Sequence, residues 1–201
     1  MEERIRNQEV EGKKELLIGV NKDEGSFFLH FLDPRTFSSN PKNISYEESV
    51  EFVKRSFNFL PDSFSTLVTD MFLSWTKEKD PGIIRNALAH MIGDSTFTCP
   101  ATLFANLVSP VSSSLSSSSS SSNAVPKSSS SSSDPLSKVY FYVFDHSSSI
   151  SPWDKWMGVL HFDEVPFVFG HPVRYPHIYT KSEISFSKLI MNYWVNFAKT
   201  G

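Results

Sequence analysis

Two short segments, far apart in the chain, hold the residue types that could do chemistry together. One reads Leu17-Ile18-Gly19-Val20-Asn21-Lys22-Asp23-Glu24-Gly25-Ser26-Phe27-Phe28, an apolar run followed by a turn carrying acids. The other, Trp153-Asp154-Lys155-Trp156-Met157-Gly158-Val159-Leu160-His161, brings a histidine out of an aromatic loop. An acid followed much later by a histidine is the last two-thirds of a Ser…Asp/Glu…His order used for acyl transfer. In that chemistry the histidine takes a proton from the nucleophile and returns it to the leaving group. The acid fixes the histidine's tautomer and stabilises the imidazolium. Glu24 and His161 are the candidates for these roles. No Gly-x-Ser-x-Gly occurs in the 201 residues, so the nucleophile is expected elsewhere. On spacing alone the plainer reading stands beside this one: a turn glutamate is usually solvated, and any one of six histidines is more often a surface residue than a base.

The elements that must position the pair are readable from periodicity. Residues 15–20 form a short strand, apolar on both faces as buried parallel strands are. Residues 21–26 are the turn that ends it. A helix is expected over 45–59, with Ser45 as N-cap, Glu48 as its capping-box partner, and Val50, Phe52, Val53 and Phe57 on one side. A second helix covers 62–75, with Phe64, Leu67, Val68, Met71, Phe72 and Trp75 at helical spacing. A third starts near Pro81 and runs to Gly93, and Pro100 opens a short helix through Leu103 and Leu107. Val139–Phe144 is a strand rich in β-formers, and a closing helix runs from about Ser182 to Lys199. Between them, 112–137 is a serine-rich tract that cannot bury enough to order itself, read as a surface insertion because folded patterns resume at once. Two strands among several helices are too little sheet for a complete α/β domain of this length.

Composition narrows the class. Hydrophobic residues make up 39% and aromatics 14%, with 18 Phe, which argues for a packed interior or an aromatic-lined cavity. A formal charge of −3 gives no electrostatic footprint for nucleic acid, and no apolar run is long enough to span a bilayer. The charged segment 1–14 lacks the apolar stretch of a signal peptide. Either the chain is cytosolic or Met1 is not the natural start. Cys99 is the lone cysteine, which in a secreted chain suggests a missing partner. Asn43-Ile44-Ser45 is a glycosylation acceptor pattern in a loop-like setting.

Longer motifs carry a resemblance. Val20 to Leu29 resembles the segment around the triad glutamate of cholinesterases, in the type-B carboxylesterase family. Trp153, Trp156 to His161, Asp163-Glu164 and Phe167 to Gly170 resemble the stretch around its triad histidine. Gly93-Asp94 with Cys99-Pro100, and Tyr193 to Gly201, fit the same alignment. The likeness covers nearly everything from about Leu16 onward except the serine tract. It implies an incomplete α/β-hydrolase fold over 15–201, the C-terminal part, interrupted by 112–137. It implies carboxylic-ester hydrolysis, with a choline ester as substrate and no cofactor, metal or nucleic acid. By resemblance, Phe27 falls where an aromatic meets the choline ammonium, Phe28 at the acyl pocket, Phe31 nearer the gorge mouth, and Trp153 on the gorge wall. Cys99 matches a cysteine whose disulfide partner lies beyond Gly201. The chain would then be cut at both ends, inactive alone and poorly soluble. The intact protein would be secreted or anchored outside the cell, and any homo-oligomer would form through regions not in this chain.

Some residues depart from the cholinesterase pattern. Phe162 stands where the family usually has glycine, next to His161. Pro166 replaces a common acidic residue, and Asp163-Glu164-Val165-Pro166 is closer to neuroligins, the non-catalytic adhesion proteins of the same fold. An adhesion or scaffold role is therefore the alternative.

Overall fold

The computed structural model describes residues 15–34, 44–77, 80–109 and 138–201. Asn43, the 1–14 segment and the 112–137 tract lie outside the described residues.

Strand β1 (Leu16–Asn21) and strand β2 (Val139–Phe144) pair in parallel, in register from Leu16↔Val139 to Asn21↔Phe144. The expected parallel strand is thus present, and its C-terminal end lies beside that of β2. The turn after β1 is shorter than expected. Only Lys22 and Asp23 form it, and Glu24 already opens helix α1 (Glu24–Leu32). The sequence reading had no helix here. Gly25, Ser26 and the aromatic cluster from Phe27 obscured the period, whereas tertiary packing supplies most helical stability.

Helix α2 (Tyr46–Ser56) begins with the expected capping box: Glu48 N–H donates to Ser45 Oγ at 3.1 Å, and Ser45 N–H to Glu48 Oε2 at 2.9 Å. Helix α3 (Asp62–Phe72) tightens into a 3₁₀ turn at Ser74–Thr76. The residues at helical spacing are not all turned inward. Leu67, Met71 and Trp75 are more than half exposed, while Val68 and Leu73 are buried beside Ser65 and Thr69. The two hydroxyls tolerate burial because they bond back into the helix, Ser65 Oγ to Asp62 O at 2.9 Å and Thr69 Oγ1 to Ser65 O at 2.8 Å.

Helix α4 (Pro81–Gly93) is capped by the Asp80 carboxylate, which accepts from Gly82 N–H at 2.7 Å. It does not stop at Gly93. A π turn (Asp94–Thr98) carries it straight into α5 (Cys99–Val108). Pro100 has no N–H to give, and the wider turn, closed by Cys99 N–H to Asp94 O, takes up the mismatch. After β2 come a 3₁₀ turn (Lys155–Met157), the short helices α6 (Val165–Val168) and α7 (His171–Arg174), and α8 (Lys181–Thr200).

Two cores result. The larger joins α1 to α4 around Leu29, Phe52, Val53, Leu73, Leu88 and Met91, and the smaller sets Phe144, Val159 and Phe167 against Phe186 of α8. Each fully buried large side chain contributes about 1.5–3 kcal/mol. Helix α1 packs backbone to backbone on α4 at Gly25. A Cβ on Gly25 would run into Ala89 O and Gly93 N, both backbone atoms that no rotamer can move. Gly25→Ala is therefore expected to destabilise by about 3 kcal/mol, the upper range for overpacking, read as a lower urea midpoint. An unchanged midpoint would mean that the helices slide apart freely.

Candidate active site

Glu24 is the first residue of α1, three residues past the end of β1, so its carboxylate sits in the first turn where the helix dipole favours negative charge. It is 6% exposed. Its Oε1 accepts from the Asn21 main-chain N–H at 2.6 Å, and its Oε2 lies 2.6 Å from His161 Nδ1. That distance is a short, charge-assisted hydrogen bond. It holds the ring with Nδ1 toward the acid, and among the described residues Nε2 has no hydrogen-bond partner. An imidazole held in this way can accept a proton at Nε2 and give it back.

The loop that delivers His161 is pinned at several points. Asp23 N–H donates to Val159 O at 2.9 Å and its Oδ2 accepts from Val159 N–H at 2.9 Å. Gly158 has φ +73°, and a Cβ there would meet the Asp23 carboxylate, so this position needs glycine on both counts. The Arg85 guanidinium lies 4.0 Å from the Trp156 ring centroid, a cation–π contact that ties the loop to α4. Burial draws the Arg85 pKa below its ordinary value, against the pull of Asp80 and Asp154. Asn21 Nδ2 donates to Leu160 O and to Glu164 Oε2, each at 2.6 Å. The turn after His161 is acidic. Burial raises the Asp163 pKa, opposed by the Leu160 N–H bond and assisted by Glu164. The Tyr142 phenol is pushed up by burial, then by Glu164 and Glu24.

Aromatic rings wall the histidine. Centroids of Phe97, Phe28 and Phe27 lie 4.6, 5.2 and 6.5 Å from the His161 ring. Phe27 also meets Phe31 at 4.7 Å and Trp153 edge-on at 5.7 Å. Of the four aromatics expected from the sequence, Phe27 and Phe28 thus meet His161 directly, while Phe31, 60% open, and Trp153 reach it only through Phe27. The sequence reading passed over Phe97 and Asn21. Phe97 stands on the π turn, which no periodicity announces, and Asn21 looked like an ordinary turn residue. His30, 5.9 Å from Trp153, joins the same group. Cys99 is exposed and free.

The Carboxylesterase family model matches residues 2–201. The chain belongs to the carboxylesterase family.

Among curated relatives, this carboxylesterase chain is 34% identical over 193 residues to "Acetylcholinesterase" of Danio rerio, covering 93% of the chain and 30% of that protein. It is 33% identical over 189 residues to "Cholinesterase" of Mus musculus, covering 94% and 27%. With "Acetylcholinesterase" of Electrophorus electricus the identity is 33% over 192 residues, covering 93% and 30%. The chain therefore spans less than a third of the length of these relatives. The family carries the α/β-hydrolase fold, and a helix-rich chain with two parallel strands fits part of it. No helix among the described residues is long and apolar enough to cross a membrane.

Phe162 is where this carboxylesterase chain carries local strain. It has φ +75°, alone among the described non-glycine residues in the left-handed region. Its ring is 62% exposed and 4.3 Å from the His161 ring, so burial offsets little of the cost. That conformation costs a residue with a Cβ about 1–2 kcal/mol, of which the greater unfolded-state freedom of glycine cancels part. Phe162→Gly is expected to stabilise by about 1 kcal/mol, measured as a higher urea midpoint. A lower one would show that the ring contact outweighs the strain.

Proposed function

We propose that this chain carries the acid–base half of a serine ester hydrolase of cholinesterase type, in which Glu24 orients His161 and His161 is general base and then general acid. The observation that carries the reading is the 2.6 Å contact of Glu24 Oε2 with His161 Nδ1, with Nε2 left for a nucleophile. The serine and the oxyanion donors are supplied outside these 201 residues, so the chain alone does not turn over ester. The substrate is a choline ester. Phe27, Phe31 and Trp153 form an aromatic cluster next to the histidine, which suits a quaternary ammonium, and Phe28 and Phe97 also pack on its ring. The names of the relatives support the same substrate class.

Residues 15–201 form one domain under this reading, with 112–137 as an insertion and 1–14 outside it. The intact protein is secreted or anchored outside the cell. There Asn43 would carry glycan, Cys99 would find a disulfide partner, and self-association would use other regions.

The test is a chimera in which this chain replaces the matched segment of the Danio rerio acetylcholinesterase, assayed with acetylthiocholine. Turnover by the chimera and none by the isolated chain is the expected result. A folded chimera without turnover would overturn the enzyme reading in favour of a non-catalytic adhesion role, for which Phe162 and the Asp163-Glu164-Val165-Pro166 string speak. Turnover by the isolated chain would overturn the placement of the nucleophile.

A further inference from the structure

We propose that Asn21 is a positioning residue of the Glu24–His161 pair, its main chain holding the acid and its side chain holding the segments on either side of the base; this rests on the acid–base reading above. The two partners arrive on different elements. Glu24 follows β1 directly, but the β1–β2 ladder ends at Asn21↔Phe144, and a long loop separates Phe144 from His161. Strand pairing therefore cannot set the distance between them, and something beyond the sheet must.

Asn21 reaches both sides. Its main-chain N–H holds Glu24 Oε1, while its side-chain amide donates to Leu160 O, immediately before His161, and to Glu164 Oε2, in the turn immediately after. All three distances are 2.6 Å, and the residue is 2% exposed, so water does not compete. Two donors on one planar amide are what an asparagine supplies. An aspartate supplies neither, and a serine or threonine only one. Asp23 grips the same loop through Val159, but its hydrogen bonds reach neither the Glu24 carboxylate nor the turn after the histidine. A catalytic pair must be held to within about 0.5 Å of its working geometry. Asn21 does so from both flanks of the base.

The test reads the histidine itself. A His Nδ1–H hydrogen-bonded to a carboxylate gives a proton resonance far downfield of the amides, and side-chain nitrogen shifts report the tautomer. Both are recorded on the acetylcholinesterase chimera described above, with His161→Gln to assign the signal. In the unsubstituted chimera we expect the downfield proton and the Nδ1–H tautomer. In Asn21→Ala we expect the proton to be lost and the tautomers mixed. Thr76→Ala is the control for mere destabilisation. It removes a fully buried hydroxyl bonded to Leu73 O, remote from the pair, and should leave the downfield proton in place.

If Asn21→Ala fails to fold, Glu164→Ala decides. It removes one of the two side-chain anchors of Asn21 and should broaden the same resonance. An unchanged downfield proton in a folded Asn21→Ala, or in Glu164→Ala where the first variant does not fold, overturns the inference while leaving the pair intact. Absence of the signal from the unsubstituted chimera overturns the acid–base reading and this inference with it.

Discussion

His161→Ala in the acetylcholinesterase chimera is expected to lower kcat by roughly 10⁴-fold, and Glu24→Gln by a similar factor, with KM nearly unchanged. The size follows from what each atom does. Without the imidazole, nothing within reach takes the proton of the nucleophile, and general acid–base transfer by a positioned side chain contributes about 10²–10⁴-fold. The glutamine retains the shape of Glu24 and offers an amide in place of the carboxylate. Oε2 no longer accepts from His161 Nδ1, so the ring loses both its fixed tautomer and the charge that stabilises the imidazolium. The oxyanion donors and the aromatic walls are untouched, so ground-state binding survives. A large rise in KM with kcat intact would move both residues from the chemistry to substrate binding. Because the two act as one unit, the double substitution should cost little more than either alone, and additive losses would speak against a coupled pair.

Acidification and a single substitution at Glu183 are expected to expose a polar tie made by one buried carboxylate. Glu183 is 2% exposed at the start of α8. Its Oε1 accepts from Ser149 N–H at 2.6 Å and its Oε2 from Ser149 Oγ at 2.6 Å. Thr180 N–H and Oγ1 add two bonds at 2.8 Å, completing a capping box. His146 Nε2 lies 3.5 Å from Oε1. One carboxylate therefore fastens the segment after β2 to the N-terminus of the last helix. Burial alone would raise its pKa, but the Ser149 and Thr180 bonds prevail and hold it down at about 2.

A folded-state pKa below the unfolded one stabilises the protein at neutral pH. That contribution is complete above the unfolded value of 4.5 and is lost as pH falls through about 2. The difference corresponds to about 3 kcal/mol. Glu183→Ala removes the acceptor and strands buried donors, with an expected loss of about 4 kcal/mol at pH 7, a large part of an ordinary domain's stability. Urea unfolding at pH 7, 4 and 2.5 checks both statements. The wild type should weaken between the two lower values, and Glu183→Gln should start weaker and change less. Parallel losses in the two proteins would assign the acid sensitivity to other carboxylates.

Much of the local structure was legible because it depends on near neighbours. The Ser45–Glu48 capping box, Pro81 at a helix start and the β-former run 139–144 are short-range signals, and each fell within a residue or two of the observed element. The helical spacing on α3 left its buried face undecided for an equally physical reason. Ser65 and Thr69 satisfy their hydroxyls inside the helix and so can be buried in place of Leu67 and Met71. The break expected at Gly93 was bridged by a π turn, whose cause, a proline two residues beyond it, shows in the sequence as a helix start.

By itself, the sequence determined which residue types were present and in what order: an acid after a strand, a histidine after an aromatic loop, and no nucleophile elbow among 201 residues. The resemblance of several longer motifs then pointed to one family, which the family comparison shows. Only the tertiary structure decided that Glu24 opens a helix, that it lies within hydrogen-bond distance of His161, and that Asn21 and Phe97 stand beside the pair. The division has a simple cause. Capping, strand propensity and turns are set by residues a few positions apart. Asn21 bonds residues of a loop more than a hundred positions away, and that bond depends on the parallel pairing of two strands. No local pattern encodes it.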